Sequence, residues 1–377
     1  VTTLDDDGNP LPEAQARLSP LRAKGKYSVV HLPNHWFILA TSSELKDAPL
    51  ARTLMGTPLV LFRDRNGAAG ALLDRCPHRN VPLSGGRVAH DGHVECPYHG
   101  WRFDRGGACR AIPSYTGTPE GKARSCTAYP VIEQQGFVWV YSTPFLPGET
   151  AMPEKRPHVF ERADDPRYVT VRQAIDMNGT MFSAIENALD VPHTAFLHKG
   201  LFRSESRGIT LTVKVKRTHD RCEAEYVGEP RPPGFMARIL SPSGGAEGST
   251  VQHWDRFILP SIAQVEYRLG EENHVLADTA MTPISDFETR LWGVVSLKTR
   301  LPARVIEPFV KPIGLRVLQQ DAEMLAKQTA TVKHFGGEQF VWTEIDVLGK
   351  HIWRLMRAAE RGEAMPEGET LELSLVV

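Results

Sequence analysis

Cysteine is scarce in this chain of 377 residues, with five in all, an odd number. That is too few for a disulfide scaffold, and it suits a reducing compartment, so a cytoplasmic location is expected. Long apolar runs are missing: none approaches the roughly 20 residues that cross a bilayer as a helix. The tail MPEGETLELSLVV is too short to span one. Charge of one sign is not in excess, with Lys+Arg 44 against Asp+Glu 45. Nothing therefore marks a nucleic-acid surface or an acidic solvating tail. The acidic, Pro-rich opening VTTLDDDGNPLPEAQARLSP is expected to be neither a secretory signal nor a transit peptide. No G-x-G-x-x-G follows an expected strand, and Gly85-Gly86 reads as a turn. Direct hydride transfer from NAD(P)H is not expected. Internal repeats and low-complexity tracts are also absent.

What is present is ordinary globular material, 41% hydrophobic and 24% charged, long enough for two domains at roughly 150 residues each. Residues 1–32 read as a polar arm. From His35-Trp36-Phe37-Ile38 onward, short apolar segments alternate with turn signals. Asp64-Arg65-Asn66-Gly67 marks a hairpin, Asp104-Arg105-Gly106-Gly107 a second tight turn, and 136–141 a buried strand. Residues 33–145 are thus expected to be a small all-β domain. The Pro-rich stretch 146–160 reads as a linker. Within 161–377 the spacing predicts a helix over 181–189 and strands near 209–226, 251–268, 273–282 and 291–298. A long helix over 305–333 is expected to be irregular near Pro308, Pro312 and Gly314. Segregated helix and antiparallel sheet imply an α+β domain.

Two constellations carry chemistry. The first is Cys76-Pro77-His78 followed, after 17 residues, by Cys96-Pro97-Tyr98-His99-Gly100-Trp101. Both halves leave strands for loops that proline stiffens. Two thiolates and two imidazoles suit either a tetrahedral zinc or a 2Fe–2S cluster with Cys₂ on one iron and His₂ on the other. Zinc modules group Cys with Cys and His with His. Here each half supplies one of each, which suits two loops clamping a cluster whose two irons want different ligands. Cys109, Cys126 and Cys222 lack ligand spacing and read as buried thiols.

The second is Asn187-Ala-Leu-Asp190-Val-Pro-His193-Thr-Ala-Phe-Leu-His198. Asn187, Asp190 and His193 share one face of a helix. Pro192 is expected to bend or end that helix and let His198 swing back beside His193. Polar groups among Leu189, Val191, Phe196 and Leu197 need partners. Two histidines become a 2-His-1-carboxylate iron site with one carboxylate more. Asp321 lies in an apolar stripe of the late helix, with Val317, Leu318, Met324 and Leu325, where burial is costly unless the charge is neutralised. Glu307 and Glu323 are its rivals; Glu323 sits off the stripe's centre.

CPHRN…CPYHGW resembles the Rieske family across 33–145. The ligand loops lack the extra cysteines of respiratory-chain members, so the resemblance is to the Rieske domains of oxygenases. N-x-x-D-x-x-H-x-x-x-x-H with a distant helical Asp is similar to the catalytic domain of Rieske non-haem iron oxygenases, terminal component, single-subunit class. That resemblance implies a helix-grip catalytic fold, an antiparallel sheet wrapped on a helix. It implies a Rieske 2Fe–2S cluster on Cys76, His78, Cys96 and His99, and a mononuclear Fe(II) on His193, His198 and Asp321. Asp190 would be the bridging carboxylate, and Asn187 would lie near the iron. O₂ would be a co-substrate, electrons would come from an NAD(P)H-dependent reductase with or without a ferredoxin, and the assembly would be a homotrimer. The expected reaction is hydroxylation or oxidative demethylation of an apolar aromatic, polycyclic or steroid-like molecule. Cis-dihydroxylation is the alternative within the family. A Rieske-type electron carrier without oxygenase activity and a zinc-stapled binding module are alternatives of other classes. Phe202, Phe235, Met236 and Leu240 are candidate pocket residues, as are Trp254, Phe257, Tyr267, Met281 and Trp292. Most of them are expected to be core.

Overall fold

The computed structural model describes residues 26–146, 148–198, 210–230, 250–269, 273–299, 303–366, 368 and 370–376. Two compact units divide them: Pro33–Val159, and Phe160–Val377 with residues 26–32.

Short apolar segments between turn residues make the first unit all-β. In chain order its strands are β1 (Trp36–Thr41), β2 (Leu50–Leu54), β3 (Thr57–Arg63), β4 (Ala69–Leu73), β5 (Arg87–Val88), β6 (Val94–Glu95), β7 (Arg102–Phe103), β8 (Cys109–Ala111), β9 (Ala128–Tyr129), β10 (Val131–Gln134) and β11 (Phe137–Tyr141). They form sheets ordered β1-β11-β10, β2-β3-β4-β9 and β5-β6-β7-β8. One core cluster joins Val60, Phe62, Leu72, Leu83, Val94 and Phe103 to Cys76 and Cys96, so the ligand loops grow out of packed strands. The β3–β4 hairpin is closed by Asp64, whose Oδ1 accepts from the Asn66 and Ala68 amides, and by Gly67 at φ 79°. Only Gly67 of the Asn-Gly pair takes the left-handed conformation, so the loop has three residues rather than the two that the dipeptide suggests. The β7–β8 turn repeats this with Asp104 and Gly107. A Cβ on Gly107 would lie 2.1 Å from the Cys126 carbonyl oxygen, so glycine is required there. The expected linker packs on this unit: Trp36 Nε1 donates to the Lys155 carbonyl, and Gln134 Nε2 to that of His158.

The second unit contains β12 (Val169–Met177), α1 (Met181–Ala188), α2 (His193–Leu197), β13 (Thr210–Arg217), β14 (Arg221–Val227), β15 (Gln252–Ile258), β16 (Ile262–Leu269), β17 (Asn273–Ser285), β18 (Glu288–Lys298), α3 (Ala303–His334), α4 (Gly349–Arg361) and β19 (Leu371–Val376). Its strands form one antiparallel sheet ordered β12-β18-β17-β16-β15-β14-β13-β19. The fold is α+β, with a helix set against a large antiparallel sheet. Alternation decides the faces: in β14, Cys222, Ala224 and Tyr226 are buried, and in β15 so are His253, Asp255 and Phe257. α3 packs across β12, and a Cβ on Gly314 would meet the Gln173 side chain at 2.8 Å. Thr180 caps α1 by accepting from the Ser183 amide, and Met181, Phe182, Ala184 and Ile185 bury its inner face.

Three differences from the sequence reading have local reasons. Residues 26–32, expected as the end of a loose arm, are packed, because Val29, Val30 and Leu32 are apolar and the Ser28 amide donates to Glu338. The rest of the arm lies outside the described residues. The tail is an edge strand whose Leu371–Val376 pair with Thr210–Val215. Met324 is 47% exposed and so does not belong to the buried stripe that holds Asp321. No helix among the described residues is long and apolar enough to cross a membrane.

Candidate metal centres

The two Cys/His loops are copies of one construction. The Cys76 amide donates to the Val81 carbonyl and the Asn80 amide to the Cys76 carbonyl. In the other loop the Cys96 amide donates to Trp101 and the Gly100 amide to Cys96. Each turn needs a left-handed residue four positions after its cysteine, and Asn80 (φ 62°) and Gly100 (φ 69°) supply it. The loops bring the His78 and His99 rings to 4.6 Å, and Trp101 stacks on His78 at 4.8 Å with the planes 4° apart.

Donor chemistry fits a metal cluster between these loops. All five cysteines are free and buried. Burial raises the Cys76 thiol to about 11, and the neighbouring Cys96 adds to the rise. A thiolate at Cys76 is therefore disfavoured in this core unless cationic metal lies beside it. His78 Nδ1 is buried with no hydrogen-bond partner, as a nitrogen reserved for a metal would be. Cys109, Cys126 and Cys222 are buried thiols, as their spacing suggests.

At the second site α1 ends at Ala188, and Pro192 opens the short α2. Proline's restriction on Val191 breaks the helix. The break lets His193 and His198 converge, with their Nε2 atoms 3.3 Å apart. Asp321 arrives from α3 with Oδ1 3.1 Å from His198 Nε2 and 3.6 Å from His193 Nε2. Its rivals Glu307 and Glu323 are exposed, whereas Asp321 is 9% exposed. Asn187 Nδ2 donates to Asp321 Oδ1 at 3.3 Å and lies 3.5 Å from His193 Nε2. Asp190 Oδ2 accepts from the His193 amide at 3.0 Å and lies 3.2 Å from His193 Nδ1. The structure thus gathers Asn187, Asp190, His193, His198 and Asp321 in one place.

The electrostatics there are those of a cation site. Burial disfavours charge on His193, but Asp190 and Asp321 outweigh it and lift the imidazole to about 9. Burial likewise opposes ionisation of Asp321, but His193 and His198 hold its carboxyl below the usual range. A proton on His193 stands where a metal ion would. Among the described residues, His193, His198 and Asp321 present three donor atoms within 4.8 Å of one another, the donor set of a facial 2-His-1-carboxylate centre.

Comparison with known proteins gives the context. The family model described as the Rieske [2Fe-2S] domain matches residues 35–125. That of the vanillate O-demethylase oxygenase C-terminal domain matches 177–362. The chain is 35% identical over 304 residues to the oxygenase component of dicamba O-demethylase from Stenotrophomonas maltophilia, covering 80% of this chain and 76% of that one. The chain belongs to the Rieske-type oxygenase components. Vanillate O-demethylase oxygenase subunit from Pseudomonas sp. (strain HR199 / DSM 7063) is 25% identical over 345 residues, 86% of this chain and 93% of that one. The structure of dicamba monooxygenase bound to 3,6-dichlorosalicylic acid superposes with a TM-score of 0.74 at 24% identity, covering 88% of this chain and 98% of that one, and shares its fold. The oxygenase therefore uses a Rieske 2Fe–2S cluster, a mononuclear iron and O₂, and it draws electrons from a reductase or ferredoxin. This answers the zinc and electron-carrier alternatives.

Two residues of the oxygenase's second unit had no signal in the sequence. Glu186, one turn before Asp190, lines a small pocket with Asp190, Tyr226 and Asp346. Burial, then Asp190 and Asp346, raise its carboxyl to about 7. Gln320 reaches His198 Nδ1 at 2.9 Å. The candidate pocket residues divide: Phe202, Phe235, Met236 and Leu240 lie outside the described residues. Phe257, Met281 and Trp292 are core, and Trp254 lies beneath Arg256 and Arg268.

Tyr267 serves another buried histidine. The His253 ring lies between Tyr226 and Tyr267, stacked at 4.4 and 4.1 Å. Its nitrogens meet Glu229 Oε2 at 2.5 Å and Asp255 Oδ1 at 2.9 Å. Burial opposes the charge, but Asp255 and Glu229 prevail and raise His253 to about 9. A histidine raised on folding contributes stability that is complete below its unfolded value, near 6.5, and is lost as pH climbs through about 9. The expected contribution is roughly 3 kcal/mol at neutral pH, as an order of magnitude. Urea midpoints should fall between pH 7 and 10 in the wild type, and this fall should shrink in His253→Gln. An equal fall in both would refute the assignment.

Proposed function

We propose that His193, His198 and Asp321 hold the mononuclear iron and that Cys76, His78, Cys96 and His99 hold the cluster. The reading rests above all on the convergence of His193, His198 and Asp321 on one buried point. Bound there, ferrous iron supplies reductive activation of O₂ with electrons from the cluster. The protein's own tasks are to bind, orient and hold protons. With a metal at the site, His193 Nδ1 would keep its proton and donate it to the Asp190 carbonyl, and Nε2 would give up its own toward the ion. Asn187 donates to Asp321 and fixes the oxygen that faces the histidines. Leu189, Val191 and Ile352 give the neighbouring pocket an apolar wall.

The proposed reaction is monooxygenation, by hydroxylation or oxidative O- or N-demethylation, of an apolar aromatic, polycyclic or steroid-like substrate. The O-demethylases among the relatives support it over cis-dihydroxylation. An NAD(P)H-dependent reductase, with or without a ferredoxin, is the proposed donor, and the proposed assembly is a cytoplasmic homotrimer. In it a cluster histidine, His78 or His99, meets Asp190 of the next copy. The test is a substrate screen with a surrogate reductase, NADH and ¹⁸O₂, scored by product mass. One labelled atom, or loss of a methyl group, is the expected outcome. Two labelled atoms in a cis-diol would overturn monooxygenation.

A further inference from the structure

Gln320 directly precedes Asp321 on α3. Its Oε1 lies 2.9 Å from His198 Nδ1. Across the same ring, Nε2 stands 3.1 Å from Asp321 Oδ1 and 3.3 Å from His193 Nε2. The ring nitrogen that faces a cation site must carry a lone pair. The proton of a neutral imidazole then sits on the other nitrogen, here Nδ1, and its neighbour must be an acceptor. The amide oxygen of Gln320 is that acceptor. Consecutive helical residues point about 100° apart, so one rigid element can send Asp321 to the ion position and Gln320 around the far side of the ring.

The other histidine is held differently. His193 Nδ1 faces the Asp190 carbonyl at 2.5 Å and the Asp190 carboxylate at 3.2 Å. One imidazole is thus backed by an anionic residue and the other by a neutral amide. An anionic partner makes the imidazole a stronger donor to metal. We infer that Gln320 is the positioning residue of His198: it fixes the Nδ1–H tautomer and the ring plane, and its neutrality leaves His198 the weaker donor of the two. The inference rests on the ligand set proposed above and deepens it.

The test measures ferrous-ion affinity of the full chain, anaerobically, by competition with a chromophoric chelator. Melting of the iron-free protein and the cluster's visible spectrum serve as controls. Q320L should weaken ferrous binding about 10–100-fold with both controls unchanged. Q320E keeps an acceptor oxygen and adds charge, so it should bind at least as tightly as wild type. Wild-type affinity in Q320L overturns the inference, and so does a Q320E as weak as Q320L. Should Q320L not fold, Q320N takes its place: its amide is one methylene too short, weak binding is expected, and wild-type affinity overturns the inference. H198A separates the two levels. If it keeps its iron, the ligand set is wrong. If it loses iron while Q320L keeps it, only the role of Gln320 fails.

Discussion

Asp321→Ala is expected to lose the mononuclear iron and essentially all turnover while the cluster remains. The iron content should fall from about three per chain to about two, the number a 2Fe–2S cluster holds. Asp321 is the site's only carboxylate among the three converging donors, and the charges on His193 and Asp321 depend on each other. Without it, two imidazoles face a divalent ion with no anionic ligand to offset its desolvation. The loss in affinity should exceed the roughly 10–100-fold typical of an outer partner. Asn187 Nδ2 would also lose the oxygen it donates to, a cost of about 1–3 kcal/mol where the group stays buried. Metal analysis beside the cluster's visible and paramagnetic spectra decides the matter. A variant with three irons, or one that loses the cluster as well, would refute the division into two centres.

Asp190→Asn should give a different pattern, with both metals retained when ferrous ion is in excess and turnover slowed about 100-fold. An asparagine oxygen can still accept from the His193 amide, as Asp190 Oδ2 does, so the start of α2 should survive. The negative charge 3.2 Å from His193 Nδ1 is removed. That charge is what would receive a cluster histidine of the next copy and link it to the iron ligand. Rapid mixing of the reduced protein with O₂ and substrate would follow reoxidation of the cluster. Slow reoxidation with full iron content is expected. Substrate oxidation at the wild-type rate would show that Asp190 does not bridge.

These two predictions draw on parts of the molecule that differ in how far the sequence exposes them. The cluster loops are legible because they are local. Each is closed by hydrogen bonds four and five residues from its own cysteine, so the order of Cys, Pro, His and a left-handed residue already contains the turn. The His193/His198 pair is nearly as local, since Pro192 breaks the helix within the motif. Asp321 can be singled out by polarity on an apolar face, although exposed Met324 lies outside the buried part of that face. No expectation from the sequence covers β12, α4 or β19. The β19 segment takes its order from Thr210–Val215, which lies far away along the chain, and nothing in Leu371–Val376 alone distinguishes a sheet edge from a tail.

From the order of residues alone came the donor types and the two-part α+β plan, and the resemblance to Rieske oxygenases added the pairing of an iron–sulfur site with a lone-iron site. Periodicity and turn chemistry act over a few residues, and that range sufficed. Only tertiary structure brought Asp321 Oδ1 to within hydrogen-bonding distance of His198 and Gln320 to the far side of the same ring. Helical spacing names the face on which a side chain lies but not what the face meets. That was decided by α3 packing across β12 and by the break before α2, where burial of apolar surface sets distances between residues more than a hundred positions apart.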